Sequence, residues 1–211
     1  MELHHSTPFQ NLYPEKFSPQ AYIIPEQDIF IGNDVPFSSG IIKTTSTKRI
    51  IFNDGAFVSQ NSSGSWVWGP VKKIGNGPFQ FPVGDSLYQA VMSISAPSLP
   101  TDAFTAQYFR INPTAAGYDT ALHVSSLTRV SGREYWLLNR DNGNSNVRVT
   151  LNYDSTRSNP VTSLYSLRVS PWNGSQWTNA GVSSFTGNLD EAFITSLDTL
   201  SSFGPLTFGY I

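Results

Sequence analysis

Short apolar runs separated by turn-forming residues fill the segment from residue 28 to residue 68. The residues between the runs are mostly Gly, Asn, Asp, Ser and Thr, and the runs themselves are 29–31, 40–42, 49–52 and 56–58. Runs this short, with turns this frequent, are typical of β-solenoid rungs or of a tight meander. No strict repeat period accompanies them. We therefore predict short solenoid-like or meander strands over 28–68.

The stretch from Trp66 to Gly84, WVWGPVKKIGNGPFQFPVG, joins two short β-type runs through a Gly-rich turn. The runs WVW and FQF flank the basic pair Lys72–Lys73, the one notable lysine pair of the sequence. This pattern predicts a strand–turn–strand joint that sets how sheets dock, with the lysine pair in a solvated turn.

Apolar and polar residues alternate in the segments that follow residue 84. Phe104, Ala106 and Tyr108 fall on one side of a predicted strand, and Thr105 and Gln107 fall on the other. About seven or eight such strands, with turn signals about every ten residues, favour a sandwich. We therefore predict an antiparallel β-sandwich over 69–211, either separate from 28–68 or continuous with it as one domain.

Four local elements are predicted within 69–211. The segments 133–140 and 147–154 are expected to form a β-hairpin through the turn DNGNSN, and Asn173-Gly174 is expected to form a tight turn. Acidic residues near its start indicate a short helix over 189–200. The last residues, GPLTFGYI, are predicted to form a closing strand.

The first 27 residues have a different texture from the rest of the chain. Four prolines punctuate them and aromatic residues stand between the prolines. Such a segment is expected to be an extended arm anchored on the body by its aromatic residues, because a free disordered tail carries few aromatics. The complete predicted fold is therefore all-β: an extended N-terminal arm (1–27), solenoid-like or meander strands (28–68) and a β-sandwich (69–211).

Composition and charge narrow the function classes. Charged residues make up 13% of the chain and the formal net charge is −2, against about 25% charged residues in an average domain. This balance leaves no electrostatic footprint for nucleic acid. The chain has no cysteine, and no apolar run is long enough for a membrane span. A low-charge surface rich in hydroxyl and amide groups is typical of extracellular β-proteins.

Catalytic chemistry finds little support in the sequence. His123 lies in an apparent strand, and no GxSxG elbow occurs. Glu134 precedes Tyr135-Trp136 and is the most interesting acid, but a strand carboxylate of this kind more often pairs with an arginine, here Arg133 or Arg148. We therefore predict that the protein is not an enzyme.

Two kinds of ligand site are possible from the residue types. Trp172 and Trp177 flank a predicted turn, and Trp66 and Trp68 share one strand face, so these indoles could stack on sugar rings. The alternative for both pairs is packing between sheets. A loop that contains Asp141, Gly143 and Ser145 places oxygen ligands at alternate positions, which suits calcium. An ordinary hairpin turn explains the same loop, and no other cofactor is predicted.

Seven segments in a fixed order resemble secreted proteins of Bacteroidota that are cargo of the type IX secretion system. The segments are SGIIKTT, WVWGPVKKIGNGPFQFPVGD, YQAVMSISAP, EYWLLNR, VRVTLNYD, RVSPWNGSQWTNAG and SFGPLTFGY. The resemblance runs from Gly40 to the end of the chain. It implies a spacer or adhesin-like module beside a solenoid stalk, to which no catalytic residues belong.

The leading functional prediction is a non-enzymatic, adhesin-like structural module, an internal piece of a large secreted or cell-surface protein. Its expected partners are neighbouring domains of the same polypeptide, together with glycans or other surface proteins. The first alternative is a carbohydrate-binding module that uses exposed tryptophans. The second is a phage or virus-like structural β-domain, which would form homotrimers.

Overall fold

The structure is a computed structural model that describes residues 9–11, 22–61 and 64–211. These residues contain no α-helix and form three β-sheets, which confirms the prediction of an all-β chain. Two 3₁₀ turns, Pro113–Ala116 and Leu164–Ser166, interrupt the strands. Most of the predicted arm (1–27) lies outside the described residues.

In chain order the strands are β1 (Phe9–Asn11), β2 (Tyr22–Ile23), β3 (Ile29–Phe37), β4 (Gly40–Lys43), β5 (Ile50–Phe52), β6 (Phe57–Asn61), β7 (Ser65–Trp68), β8 (Val71–Ile74), β9 (Phe79–Phe81), β10 (Val83–Gly84), β11 (Met92–Ile94), β12 (Ala103–Phe109), β13 (Arg129–Val130), β14 (Tyr135–Asn142), β15 (Val149–Asp154), β16 (Leu167–Pro171), β17 (Ser184–Gly187), β18 (Glu191–Thr195) and β19 (Gly204–Tyr210). The ten-stranded sheet follows the order β1-β3-β5-β8-β12-β14-β19-β13, with β6 also on β3 and β16 also on β19. The four-stranded sheet is β10-β7-β4-β2, and the five-stranded sheet is β17-β18-β15-β11-β9.

Strands in the first part of the chain pair in parallel. Ile29 lies beside Ile50, and Ile50 lies beside Val71, so β3, β5 and β8 repeat at intervals of 21 residues. The strands between them, β4 and β7, pair in parallel in the four-stranded sheet. The chain therefore passes back and forth between two sheets, and we call residues 22–84 the parallel section.

The stretch from Trp66 to Gly84 supplies strands to all three sheets. It contains β7 and β10 of the four-stranded sheet, β8 of the ten-stranded sheet and β9 of the five-stranded sheet. β8 pairs in parallel with β5 and antiparallel with β12. The prediction that this stretch is a joint between sheets is thus confirmed, and the change from parallel to antiparallel pairing occurs at β8.

A glycine makes the corner between β7 and β8 possible. Gly69 has a φ of 132°, a conformation that residues with a side chain rarely adopt. A Cβ atom at this position would lie 2.5 Å from the backbone oxygen of Thr44, in the corner of the previous turn of the chain. The Thr44 hydroxyl donates a hydrogen bond to the Pro70 carbonyl at 2.9 Å, which holds the two corners together.

The rest of the chain, which we call the antiparallel section (85–211), shares one apolar core with the parallel section. The core cluster includes Ile29 and Val71 from the parallel section, and Trp136, Tyr153 and Phe208 from the antiparallel section. Phe104, Ala106 and Tyr108 are buried as their alternation predicts. The tight turn at Asn173-Gly174 and the closing strand, β19, are also confirmed.

Two local predictions in the antiparallel section are wrong. β14 and β15 do not form a hairpin: β14 pairs with β12 and β19, whereas β15 pairs with β11 and β18 in another sheet. The predicted helix over 189–200 is instead the strand β18. Ala192 and Ile194 are fully buried in it and their neighbours face outward, a period of two that belongs to a strand.

Gly69→Ala is expected to lower the free energy of unfolding by about 2 kcal/mol or more, because the new methyl group meets backbone and the positive φ becomes strained. Gly77→Ala is the matched control in the same joint. A Cβ atom at Gly77 meets nothing within 4 Å, so its effect should stay within about 0.5 kcal/mol. Urea unfolding followed by tryptophan fluorescence measures both, and equal stability of the two variants would refute the corner argument.

Candidate functional site

The outward face of the ten-stranded sheet carries a groove of about 260 Å³. Strand alternation sends Thr105 and Gln107 of β12 outward, and it does the same for alternate residues of β14. In the register of these strands Gln107 lies opposite Leu137, and Thr105 lies opposite Asn139. We call this site the outer groove and define it by Arg49, Thr105, Gln107, Leu137, Asn139 and Asp141.

The charged groups of the outer groove are paired with one another or with near neighbours. Lys72 Nζ lies 3.0 Å from Asp141 Oδ2, which also accepts a hydrogen bond from the Thr105 hydroxyl at 2.6 Å. Arg49 Nη2 lies 2.9 Å from Asp28 Oδ2. Burial alone would raise the pKa of Asp28, but hydrogen bonds from the Arg49 side chain and backbone outweigh it and lower that pKa. The groove therefore offers no uncompensated charge from these pairs.

An aromatic cluster lies one step further along the same two strands. Phe109 stacks on Tyr135 with ring centroids 4.8 Å apart, and Tyr118 packs edge-on against Tyr135. Trp172 and Trp177 follow, with edge contacts to Tyr118 and to each other. Trp177 is fully buried and Trp172 is half-buried. Of this predicted pair, only Trp172 therefore retains exposed indole surface.

The second predicted tryptophan pair lies in the four-stranded sheet, on β7. Trp66 is buried, and its indole N–H donates a hydrogen bond to the Asp85 carbonyl at 2.7 Å. Trp68 is half-buried, with Tyr22 against it edge-on and Lys43 Nζ 4.2 Å from its ring centroid. The structure therefore gives all four tryptophans packing partners, and stacking on sugar stays a prediction for Trp68 and Trp172.

The structure does not bring the predicted calcium ligands together. Asp141 faces Lys72 in the outer groove, whereas Ser145 is buried and donates its hydroxyl hydrogen bond to Asp102. Gly143 has a φ of 85° and lies so close to Asp102 that a Cβ atom would clash with its carboxylate. Over the ranges that the structure covers, no three His, Cys, Asp or Glu side chains converge as metal ligands. The loop is held by Asp102 instead.

A buried ion pair joins two of the sheets, and sequence reasoning missed it. Glu134, just before β14, pairs with Arg157, in the loop after β15, and both side chains are fully buried. The prediction that Glu134 pairs with Arg133 or Arg148 is therefore wrong. Arg157 lies in the polar loop segment Asp154–Ser158, where nothing in the sequence marks an arginine that turns inward.

Every oxygen of the Glu134 carboxylate has a donor. The Tyr108 hydroxyl donates to Oε2 at 2.8 Å, Arg157 donates to the same oxygen, and the Ser158 hydroxyl donates to Oε1. Burial, reinforced by the charge of Glu134, raises the pKa of Tyr108, so that its hydroxyl stays protonated and donates. A carboxylate enclosed in this way is not placed to reach a substrate in solution.

The Arg157 guanidinium has its own set of partners beyond the carboxylate. Its Nη2 donates to the backbone oxygen and to the side-chain oxygen of Asn152, both at 2.5 Å. Its Cζ atom lies 5.4 Å from the Tyr108 ring centroid and 5.5 Å from that of Trp136. Charge, hydrogen bonds and aromatic contacts therefore combine to hold this side chain between the sheets.

Lys73 is a second buried charge, and the prediction that the lysine pair lies in a solvated turn is wrong. Lys73 occupies an inward position on β8 and is 3% exposed. Its ammonium donates to the carbonyls of Asn53 and Ala56 at 2.6 and 2.9 Å. Burial lowers the pKa of Lys73 to about 8, against a small opposing effect of Asp54.

Comparison of the chain with protein-family models, with curated proteins and with solved structures finds no match. The class of protein that the structure itself defines is an all-β protein with several sheets. Within the described ranges, no helix has the length and apolarity that crossing a membrane requires.

Glu134→Gln is expected to lower the free energy of unfolding by about 3 kcal/mol, because Arg157 keeps its charge and loses its counter-ion in a dry environment. Glu26→Gln, at an exposed glutamate, is the control and should change it by less than about 0.5 kcal/mol. Adding Arg157→Met to Glu134→Gln should recover part of the loss. A Glu134→Gln protein that unfolds at the wild-type urea concentration would contradict the assigned role.

As the pH rises from about 8 to 10.5, the free energy of unfolding of the wild type is expected to increase relative to that of the Lys73→Met variant. In this window the unfolded chain still holds the Lys73 proton and the native protein has released it, so the free energy of unfolding rises with pH. Urea unfolding at several pH values measures this change, with Lys48→Met as the control for removing a lysine. Parallel pH curves for the wild type and Lys73→Met would refute the assignment.

Proposed function

We propose that this protein is a non-enzymatic, extracellular structural module of the adhesin-like kind, and that it belongs to a large secreted or cell-surface protein. The observation that carries the proposal is the large core cluster, which contains residues from Ile29 to Tyr210 and so includes both sections. The ten-stranded sheet spans both sections as well, because β8 connects β5 to β12. A body built in this way transmits force between neighbouring domains without an internal hinge.

The uses of the charged side chains support the same role. Glu134 and Arg157 tie sheets together, and Lys73 closes a turn of the parallel section. These ionisable groups therefore hold parts of the fold together. In the proposed arrangement the parallel section is a short solenoid-like coil that merges into an antiparallel sandwich, and the neighbouring domains of the same polypeptide are the principal partners. The resemblance to type IX secretion cargo supports a location at the bacterial cell surface.

Single-molecule pulling on the chain, held through handle domains at both ends, tests the structural role. One unfolding step is expected for residues 22–211, because both sections share a sheet and a core, and it should release about 3.6 Å of contour length per residue. Glu134→Gln should lower the unfolding force and keep the single step.

Separate unfolding of the parallel and antiparallel sections, at clearly different forces, would contradict a force-bearing module. The non-enzymatic part of the proposal has its own test. Incubation with a panel of polysaccharides and peptides should give no turnover, and any turnover that Glu134→Gln abolishes in a folded protein would overturn it.

A further inference from the structure

Two amide side chains face the outer groove from neighbouring strands and are not used elsewhere. Gln107 is half-buried on β12 and Asn139 is exposed on β14. Within the described part of the chain, neither side chain has a hydrogen-bond partner. An amide both donates and accepts, so a pair of them can bind adjacent hydroxyl groups that act in both ways. We propose that the outer groove is a binding site for a neutral carbohydrate.

The charge pattern selects a neutral ligand. Lys72 is held by Asp141, and Arg49 is held by Asp28. An acidic sugar would have to displace one of these carboxylates from its cation, and a cationic ligand would have to compete with the lysine or the arginine. A neutral polyol avoids both costs, and the hydroxyl of Thr105 extends the row of polar groups that it meets.

The apolar lining of the groove suits the carbon face of a sugar ring. Leu137 lies directly opposite Gln107 and is half-buried, so its side chain leaves apolar surface between the polar groups. Pro70 adds a second apolar wall. One register step beyond Leu137, the half-buried Phe109 supplies an aromatic ring, and aromatic faces pack well against sugar rings.

The size of the groove limits the ligand. Its volume of about 260 Å³ lies just below the range of about 300–1,000 Å³ for sites that enclose drug-sized molecules. The groove therefore accommodates a short segment of one or two sugar rings, and a longer glycan would extend past the aromatic cluster. The site differs from the tryptophan sites predicted from the sequence, since none of those four residues lines it.

Binding of the wild-type protein to an array of neutral and uronic-acid-containing oligosaccharides tests the inference, followed by calorimetric titration of a neutral oligosaccharide that binds. Gln107→Ala/Asn139→Ala should weaken its affinity about tenfold or more, because two hydrogen bonds are lost. Gln60→Ala/Asn144→Ala removes the same residue types from exposed positions outside the groove and should leave the affinity unchanged.

Amide chemical-shift mapping on the wild-type protein localises the site without depending on any variant. Shifts confined to β12, β14, the neighbouring end of β8 and the segment 46–49 are expected. No binding on the array, a preference for acidic sugars, shifts elsewhere, or equal affinity of the two double variants would each overturn the inference. Capture of peptides by the same groove in place of sugars would also overturn it. None of these results would contradict the proposed structural role, because that role is tested separately by the unfolding force.

Discussion

The buried pair of Glu134 and Arg157 is the interaction on which the arrangement of the sheets depends. Glu134 enters the core beside the ten-stranded sheet, and Arg157 reaches it from the loop that follows β15 of the five-stranded sheet. Removing two charges from water is costly, and the cost is offset only when hydrogen bonds satisfy both groups. Here Tyr108 and Ser158 donate to the Glu134 carboxylate, and Asn152 accepts from Nη2 of Arg157. Because these hydrogen bonds join residues of both sheets, the network helps to fix how the layers meet.

The outer groove is a consequence of how this core is built. Trp136 and Leu138 of β14 point inward and fill the core, so the alternate residues Leu137 and Asn139 must face away from it. At one end of the strands the aromatic cluster, with Phe109 and Tyr135, covers that outer face. At the other end the outer face stays open, and the side chains of Gln107 and Asn139 have no hydrogen-bond partner among the described residues. Architecture and surface thus use opposite faces of the same two strands.

The sequence predicts those features that depend on local pattern and misses those that depend on distant partners. The alternation of Phe104, Ala106 and Tyr108 is visible in the sequence, and so is the joint at Trp66–Gly84. The predicted hairpin of β14 with β15 is wrong because a turn signal shows that the chain bends and does not show which strand will pair with which. The same limit applies to two other pairs. Glu134 meets Arg157 through the packing of two sheets, and Gln107 and Asn139 come near each other through the register of β12 with β14. In 189–200, acidic residues that suggest a helix start are outweighed by the burial of Ala192 and Ile194.

The strand β19 follows in the chain all the strands with which it pairs. It pairs with β13, β14 and β16, and among the described strands β13 and β16 have no other partner. A ribosome must therefore deliver residue 210 before these strands can find their places in the sheet. Contacts between segments this far apart also slow folding. Until β19 has emerged and paired, the antiparallel section therefore stays open in the newly made polypeptide.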